Sequence, residues 1–156
     1  NARFKKLKSP AEVVIGTLRL VGGSDFPGPG FGNLSRQTGY MGQELLNPPS
    51  VEGWHQGMEW IDTGALVERI NFASEKFGDL DKSGIENIVG VIIERCGDQP
   101  DAVDLVDQCL WVLGGLSVDL DSRLALQNLA REDVDYHSKV QLILKSVVSS
   151  KEFQLA

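Results

Sequence analysis

The sequence predicts an all-α fold: a compact, irregular array of about seven helices with long structured loops rich in glycine, proline and tryptophan. Apolar residues recur at helical spacing through most of the chain, and helix-capping residues precede several of these stretches. No stretch alternates polar and apolar residues as a half-buried strand would. With 156 residues, the chain is predicted to fold as a single domain over 1–156, with a candidate internal join near 78–82.

The first helix is predicted to begin at Ser9-Pro10-Ala11-Glu12. The serine can cap the helix, the proline fits the first helical position, and the glutamate can reach back to the amide of the capping residue. Apolar residues then continue at helical spacing until Gly22-Gly23, where the helix is expected to end.

Residues 24–32 are too rich in glycine and proline for regular structure, yet they contain Phe26 and Phe31. We interpret them as a packed surface loop whose phenylalanines contribute to a ligand or partner surface. Asn33 is predicted to cap the second helix, which should continue through Leu45 until Pro48-Pro49 end it, because proline lacks an amide donor.

The segment from Met41 to Trp60 is the most informative part of the chain. It combines Pro48-Pro49, Trp54, Trp60 and several glycines, a composition that neither helix nor strand chemistry explains. Bulky aromatic residues beside glycines are typical of a built loop that plugs a groove between helices or lines a pocket. Trp54 and Trp60 are therefore candidates for a ligand or partner surface.

Five further helices are predicted after this segment. The first three begin after a capping residue or capping motif, and the apolar residues inside all five recur at helical spacing. Their approximate limits are 62 or 63 to 77, 83–96, 101–113, 120–129 and 135–148. Glycines at 78, 97 and 114–115 are expected to end three of them.

The charge and composition exclude some classes of function. A net charge of −7 argues against nucleic-acid binding, which depends on clustered Lys and Arg. The basic residues near the amino end are interpreted as a solvated tail; they are Arg3, Lys5, Lys6 and Lys8. No apolar run reaches the roughly 20 residues that a membrane span needs. The segment itself is expected to be soluble.

The two cysteines, Cys96 and Cys109, are predicted to be free thiols. In a simple helical hairpin they would lie about 12 Å apart along the axis, too far for a disulfide, although a steep helix crossing would bring them closer. Neither cysteine has zinc-site spacing, so no cofactor is predicted.

Asp79, Asp81 and Ser83 imitate the beginning of a calcium-binding loop. The calcium-loop pattern is incomplete, because Gly90 occupies the position that should supply a bidentate carboxylate. Helix capping by Ser83 and Glu86 explains the same residues, and calcium remains the weaker interpretation.

Two interpretations of the tryptophan segment remain open. Glu52 and Glu59 flank Trp54 and Trp60, and paired carboxylates beside aromatic rings are what a carbohydrate-binding or glycoside-cleaving cleft requires. His55 could act there as a general base, although no nucleophile motif accompanies it. The structural interpretation favours buried tryptophans and solvated glutamates. Arg69 follows on a helix, and its predicted role is a charge-assisted bond that fixes the loop; ligand binding is the alternative.

The chain resembles the carboxy-terminal portion of a bacterial family known as domain of unknown function 1800. The resemblance rests on motifs along the chain: Lys6-Leu7-Lys8-Ser9-Pro10-Ala11-Glu12, Met41-Gly42-Gln43-Glu44-Leu45, Asn47-Pro48-Pro49, Val51-Glu52-Gly53-Trp54, Trp60, Leu66-Val67-Glu68-Arg69-Ile70-Asn71-Phe72-Ala73 and Ser149-Ser150-Lys151-Glu152-Phe153-Gln154. The chain departs from the family pattern at Leu46 and His55, and it matches poorly between Gly78 and Ala130.

The resemblance implies a longer, exported bacterial parent protein and an extracytoplasmic location, but no catalytic residue or cofactor. The leading hypothesis is a non-catalytic helical module that binds the remainder of the parent or another protein. The alternative is a hydrolytic or carbohydrate-binding site completed by residues outside this segment, to which Glu52, His55, Glu59 and Trp60 would contribute.

Overall fold

A computed structural model describes residues 6–22, 31–54, 56–79, 83–97 and 99–155, apart from the side chains at 31, 32, 63 and 83. These residues form a helical array without a β-strand; one isolated β-bridge joins Ser50 and Gly53. In chain order the elements are α1 (Pro10–Leu20), α2 (Phe31–Tyr40), a 3₁₀ turn (Gly57–Trp60), α3 (Thr63–Phe77), α4 (Ser83–Cys96), α5 (Ala102–Val112), α6 (Leu120–Ala130), α7 (Tyr136–Val148) and α8 (Lys151–Gln154). The predicted all-α class is confirmed.

Local capping chemistry begins most of these helices where the sequence predicts. The Ser9 hydroxyl accepts from the amide of Glu12, and the Glu12 carboxylate accepts from the amide of Ser9 at 2.7 Å. In four other helices the capping residue is an aspartate, whose side chain accepts hydrogen bonds from backbone amides of the first turn. These residues are Asp62, Asp101, Asp119 and Asp135. The residue before α4 lies outside the described part, so the capping of that helix by Ser83 and Glu86 stays a prediction.

The predicted limits of α2 are wrong at both ends. The helix already begins at Phe31, so Asn33 lies inside it, and it ends at Tyr40, well before Leu45 and the two prolines. Gly42 causes the early end: with φ +92° it adopts the left-handed conformation that closes a helix. Its amide donates to Gly39 O at 2.9 Å, and the next amide, from Gln43, donates to Thr38 O at 2.8 Å.

Two apolar clusters hold the array together. A small one lies among α1, α2 and α3 and consists of Val14, Leu18, Met41 and Phe72, with Leu34 packed against it. A larger one fills the space among the remaining helices and includes Phe77, Ile92, Val106, Leu126, Ile143 and Phe153. Val21, Ala73 and Phe77 bring α1 and α3 into the larger cluster. None of the described helices is long and apolar enough to cross a membrane.

Both cysteines are free. Cys109 is buried in the larger cluster, and Cys96 is partly buried, with its Sγ atom 3.0 Å from the carbonyl oxygen of Ile92. Burial raises the pKa of the Cys109 thiol to about 12, with a smaller contribution from Cys96. The expectation of free thiols is therefore confirmed.

Candidate functional site

The segment from Met41 to Trp60 is a built loop, fixed at several points. The Gln43 side chain accepts from the amide of Ala11 at 2.9 Å, which satisfies one of the free amides at the start of α1. The indole of Trp54 donates to the carbonyl oxygen of Glu44 at 3.1 Å, so its ring is held in place. Trp60 is only 6% exposed, and its ring lies 4.0 Å from where a Cβ atom at Gly42 would stand.

An open cleft of about 730 Å³ lies between this loop and the chain leading into α1. Its walls consist of Lys6, Leu7, Ser9 and Glu12 on one side and of Gln43, Glu52, Gly53, Trp54, Gln56, Gly57 and Trp60 on the other. A second cavity of about 420 Å³, lined in part by Pro48 and Pro49, is also lined by Trp54. Trp54 therefore lines both the cleft and the second cavity. Its side chain is half-buried, and its hydrogen bond to Glu44 orients the ring.

The cleft brings together some of the predicted site residues but not all. Glu52, Trp54 and Trp60 line it, whereas Glu59 does not and instead accepts from the amide of Gln56 at 3.3 Å. The second carboxylate of the cleft is Glu12, which belongs to α1. His55 lies outside the described residues.

The ionisation state of Glu12 limits the reactions in which this carboxylate can take part. Hydrogen bonds from the Lys6 ammonium and from the amide of Ser9 lower the pKa of Glu12 to about 2. The carboxylate is therefore ionised at neutral pH and has no proton to donate as a general acid. Glu12 acts as a fixed anion that holds Lys6 and caps α1.

Arg69 does not lie on the cleft surface. Its side chain is fully buried, and Nη1 donates to the carbonyl oxygen of Lys8 at 2.7 Å, behind the wall formed by residues 6–9. Burial lowers the pKa of Arg69, and nearby Glu12 partly counteracts this shift. Arg69 thus makes a charge-assisted bond to a carbonyl, as the sequence predicts, but to the amino-terminal segment and not to the tryptophan loop.

The interpretation of Lys8 as part of a solvated tail is wrong. Its ammonium donates to the carbonyl oxygen of Phe153 at 2.8 Å and lies 4.0 Å from the centre of that phenyl ring. Its amide also donates to Gln154 O at 3.2 Å. Lys8 therefore ties the beginning of the described chain to α8. No sequence signal could have revealed this contact, because its partners are separated by more than 140 residues.

The remaining candidates are Phe26, Phe31 and the three residues that resemble a calcium-binding loop. Phe26 and Asp81 lie outside the described residues, and the side chains of Phe31 and Ser83 are not described. Asp79 is exposed at the end of the α3 region. Among the described residues, no group of three or more His, Cys, Asp or Glu side chains is arranged to hold a metal ion. Calcium binding stays a prediction, tested by whether calcium raises the melting temperature when magnesium at equal ionic strength does not.

Comparison with known proteins gives a family but no function. Residues 1–155 match the family described as "Protein of unknown function (DUF1800)", and the chain belongs to this family. No curated protein matches the chain. No solved structure matches it either.

Proposed function

We propose that this member of the DUF1800 family is a non-catalytic interaction module of a longer, exported bacterial protein, and that its tryptophan loop is the contact surface. The observation that carries the proposal is the exposure of large apolar side chains on a loop that is fixed in position. Leu46 is 96% exposed, Val51 is fully exposed and Met58 is 73% exposed. A contiguous apolar patch on a protein surface is typical of a site that a partner covers, and we propose that these three side chains form such a patch.

The backbone at Leu46 supports the same proposal. Leu46 has φ +68° and is the only residue other than glycine with a positive φ among those described. This conformation costs roughly 1–2 kcal/mol for a residue with a Cβ atom. Strained positions persist where the surrounding structure imposes them, and they cluster at functional segments. Here the strain presents a leucine side chain to solvent.

The pairing of Glu12 limits the glycosidase alternative. Of the two glutamates predicted to flank the tryptophans, only Glu52 lines the cleft. Glu12, the other carboxylate there, is paired and ionised. A glycosidase of the usual kind needs one carboxyl group that can donate a proton and a second that acts as base or nucleophile. Glu12 cannot supply the first of these roles.

Hydrogen exchange tests the proposed contact surface. Amide exchange over residues 44–58 is measured in the full-length parent and in the isolated 156-residue chain. We expect slower exchange in the parent, because a partner surface would cover the loop. Serine substitutions at Leu46, Val51 and Met58 should abolish this difference, whereas serine substitutions at the exposed Val91 and Val103 should preserve it. Equal exchange in the parent and the isolated chain would argue against a contact with the rest of the parent.

Carbohydrate binding is the second candidate, and the position of Trp54 favours it. Trp54, Trp60 and Glu52 line one open cleft, which combines aromatic surface with hydrogen-bonding groups. Titration with oligosaccharides should then quench the fluorescence of Trp54, and Trp54→Phe should remove the response. Trp111→Phe, at an exposed site on α5, is the matched control. Trp60 lines the same cleft, so only a response that survives Trp54→Phe and is lost in Trp111→Phe would exclude this cleft as the binding site.

A further inference from the structure

Four hollows on the surface around α2 and the tryptophan loop join into one continuous track. Trp54 lines both the cleft and the second cavity. Gly39 and Glu44 line the second cavity and a third hollow of about 380 Å³. Gly39 and Tyr40 line that third hollow and a fourth of about 460 Å³, which reaches the beginning of α3. Because neighbouring hollows share wall residues, the track extends from the chain before α1, across Trp54 and Tyr40, to α3.

Aromatic rings and exposed main chain form much of this track. Tyr40 is 58% exposed at the junction of the third and fourth hollows. Trp54 is half-buried at the junction of the cleft and the second cavity. Gly39 lines three of the hollows without a side chain, so an occupant can approach the backbone of α2 closely. A row of hollows of this kind suits an extended chain, whose alternate side chains can enter successive hollows.

The described walls of the track are acidic. Lys6 is paired with Glu12 at 2.5 Å, so these two charges largely cancel. The other charged residues along the track are four carboxylates and one cation: Glu44, Glu52, Asp62, Glu68 and Arg36. Carboxylates beside exposed rings attract cations, both through ion pairs and through the negative faces of the rings. The same walls repel an anionic ligand.

We propose, on the basis of the interaction function proposed for this chain, that the partner contributes an extended basic segment that lies along the track. The arginine or lysine side chains of this segment pair with the carboxylates of the track and lie over the rings of Tyr40 and Trp54. The chain itself contains a contact of this kind, because Cζ of Arg95 lies 3.9 Å from the centre of the Trp111 ring. Opposite charges would also select this partner and speed its association.

Fluorescence anisotropy with labelled synthetic peptides tests this assignment. The probe alternates arginine and serine over about ten residues, roughly 33 Å when extended. A peptide with glutamate in place of arginine is the control. We expect the arginine peptide to bind, with an affinity that falls as the salt concentration rises, and the glutamate peptide not to bind. No binding of the arginine peptide, or equal binding of both peptides, would overturn the proposal.

Two triple variants of equal net charge separate the track from the general attraction of an acidic protein for a basic peptide. One removes three carboxylates of the track, and the other removes three exposed carboxylates elsewhere: Glu44→Gln, Glu52→Gln and Glu68→Gln against Glu94→Gln, Asp104→Asn and Glu132→Gln. We expect the track variant to bind the arginine peptide about tenfold more weakly than the control variant, because each exposed ion pair contributes modestly. Equal affinities would show that net charge alone attracts the peptide, which would contradict the proposal.

The track variant should remain folded, which circular dichroism checks. Oε2 of Glu44 accepts from Nδ2 of Asn47 at 2.9 Å, and the amide oxygen of a glutamine can accept the same bond. The aromatic contact is tested by Tyr40→Ala, with Trp111→Ala as the matched control at an exposed ring outside the track. Tyr40→Ala should weaken binding of the arginine peptide and Trp111→Ala should not. An unchanged affinity in Tyr40→Ala would contradict a segment that passes over this ring.

Further outcomes distinguish this assignment from the interaction function on which it rests. If cellohexaose binds the chain and the arginine peptide does not, the track accommodates carbohydrate and the basic segment is excluded. If amide exchange over residues 44–58 is slower in the parent while the arginine peptide fails to bind, the interaction function stands and only the basic chemistry of the partner falls. Binding of the arginine peptide along the track together with equal exchange would place the basic segment on a separate partner protein.

Discussion

Replacing Gly84 with alanine tests how closely α4 approaches α1. A Cβ atom at Gly84 would lie 2.2 Å from the carbonyl carbon of Val21, 2.3 Å from the amide nitrogen of Gly22 and 2.6 Å from the carbonyl oxygen of Leu20. All of these are main-chain atoms, which cannot rotate away. Ordinary contact begins at 3.4 Å, so the helices would have to separate by about 1.2 Å, the difference between 3.4 and 2.2 Å.

The cost of this separation follows from what is packed nearby. Val21 is fully buried in the larger cluster together with Phe77 and Ile85, and the shift would loosen these contacts. Overpacking a well-packed interior costs typically 1–3 kcal/mol, and the upper end applies when backbone must move. We therefore expect Gly84→Ala to lower the free energy of unfolding by about 3 kcal/mol, a large share of the roughly 5–15 kcal/mol of a typical domain.

Urea unfolding followed by far-UV circular dichroism measures this effect, and Gly90→Ala is the matched control. Gly90 lies in the same helix, and no atom beyond its chain neighbours and the adjacent backbone of that helix lies within 4 Å of its Cβ position. Alanine there should raise stability by about 0.5–1 kcal/mol, because a helical glycine loses more backbone entropy on folding. The reasoning is refuted if Gly84→Ala unfolds at the same urea concentration as the wild type, or if both variants shift in the same direction.

The remaining predictions concern the loop, the carboxylate and the thiol. Trp60→Ala should cost about 3–5 kcal/mol in thermal unfolding, and Trp54→Ala should cost less, because its ring is only half-buried. The folded-state pKa of Glu12 is lowered from 4.5 to about 2. The contribution of Glu12 to the free energy of unfolding is therefore complete above pH 4.5 and is lost as the pH falls toward 2. In Glu12→Gln this part of the pH dependence of stability should be absent. Iodoacetamide at pH 8 should modify Cys96 before Cys109, as mass spectrometry would show, because burial keeps the Cys109 thiol protonated. Faster modification of Cys109 would contradict its placement in the core.

The parts of the fold that depend on local chemistry could be predicted from sequence. Ser9 with Glu12, Asp62 and Asp101 reveal helix beginnings because a cap involves only residues within one turn. The predicted end of α2 is wrong because Pro48-Pro49 are the more conspicuous stop in the sequence, whereas Gly42 ends the helix through its left-handed backbone. Gly42 is the sequence signal for this helix end.

The candidate site was less predictable, because it depends on contacts between distant parts of the chain. The composition of the tryptophan loop marks it as a candidate site, but nothing in its sequence pairs Glu52 with Glu12 across a cleft. The sequence likewise offers no indication that Arg69 would be sealed behind residues 6–9. Such positions follow from how α1 and α3 pack, which periodicity alone does not determine.

Lys8 connects one wall of the cleft to α8, so the shape of the cleft depends on the position of that helix. Residues 6, 7, 9 and 12 form one wall of the cleft, and Lys8 stands among them while its own bonds point inward to Phe153, Gln154 and Arg69. Burial lowers the pKa of Lys8, and its cation is held by a carbonyl and a phenyl ring. Because the same residue is held by α8 and α3, the wall cannot move without disturbing both helices. A partner that binds the cleft therefore meets a preformed surface, which reduces the entropy lost on binding.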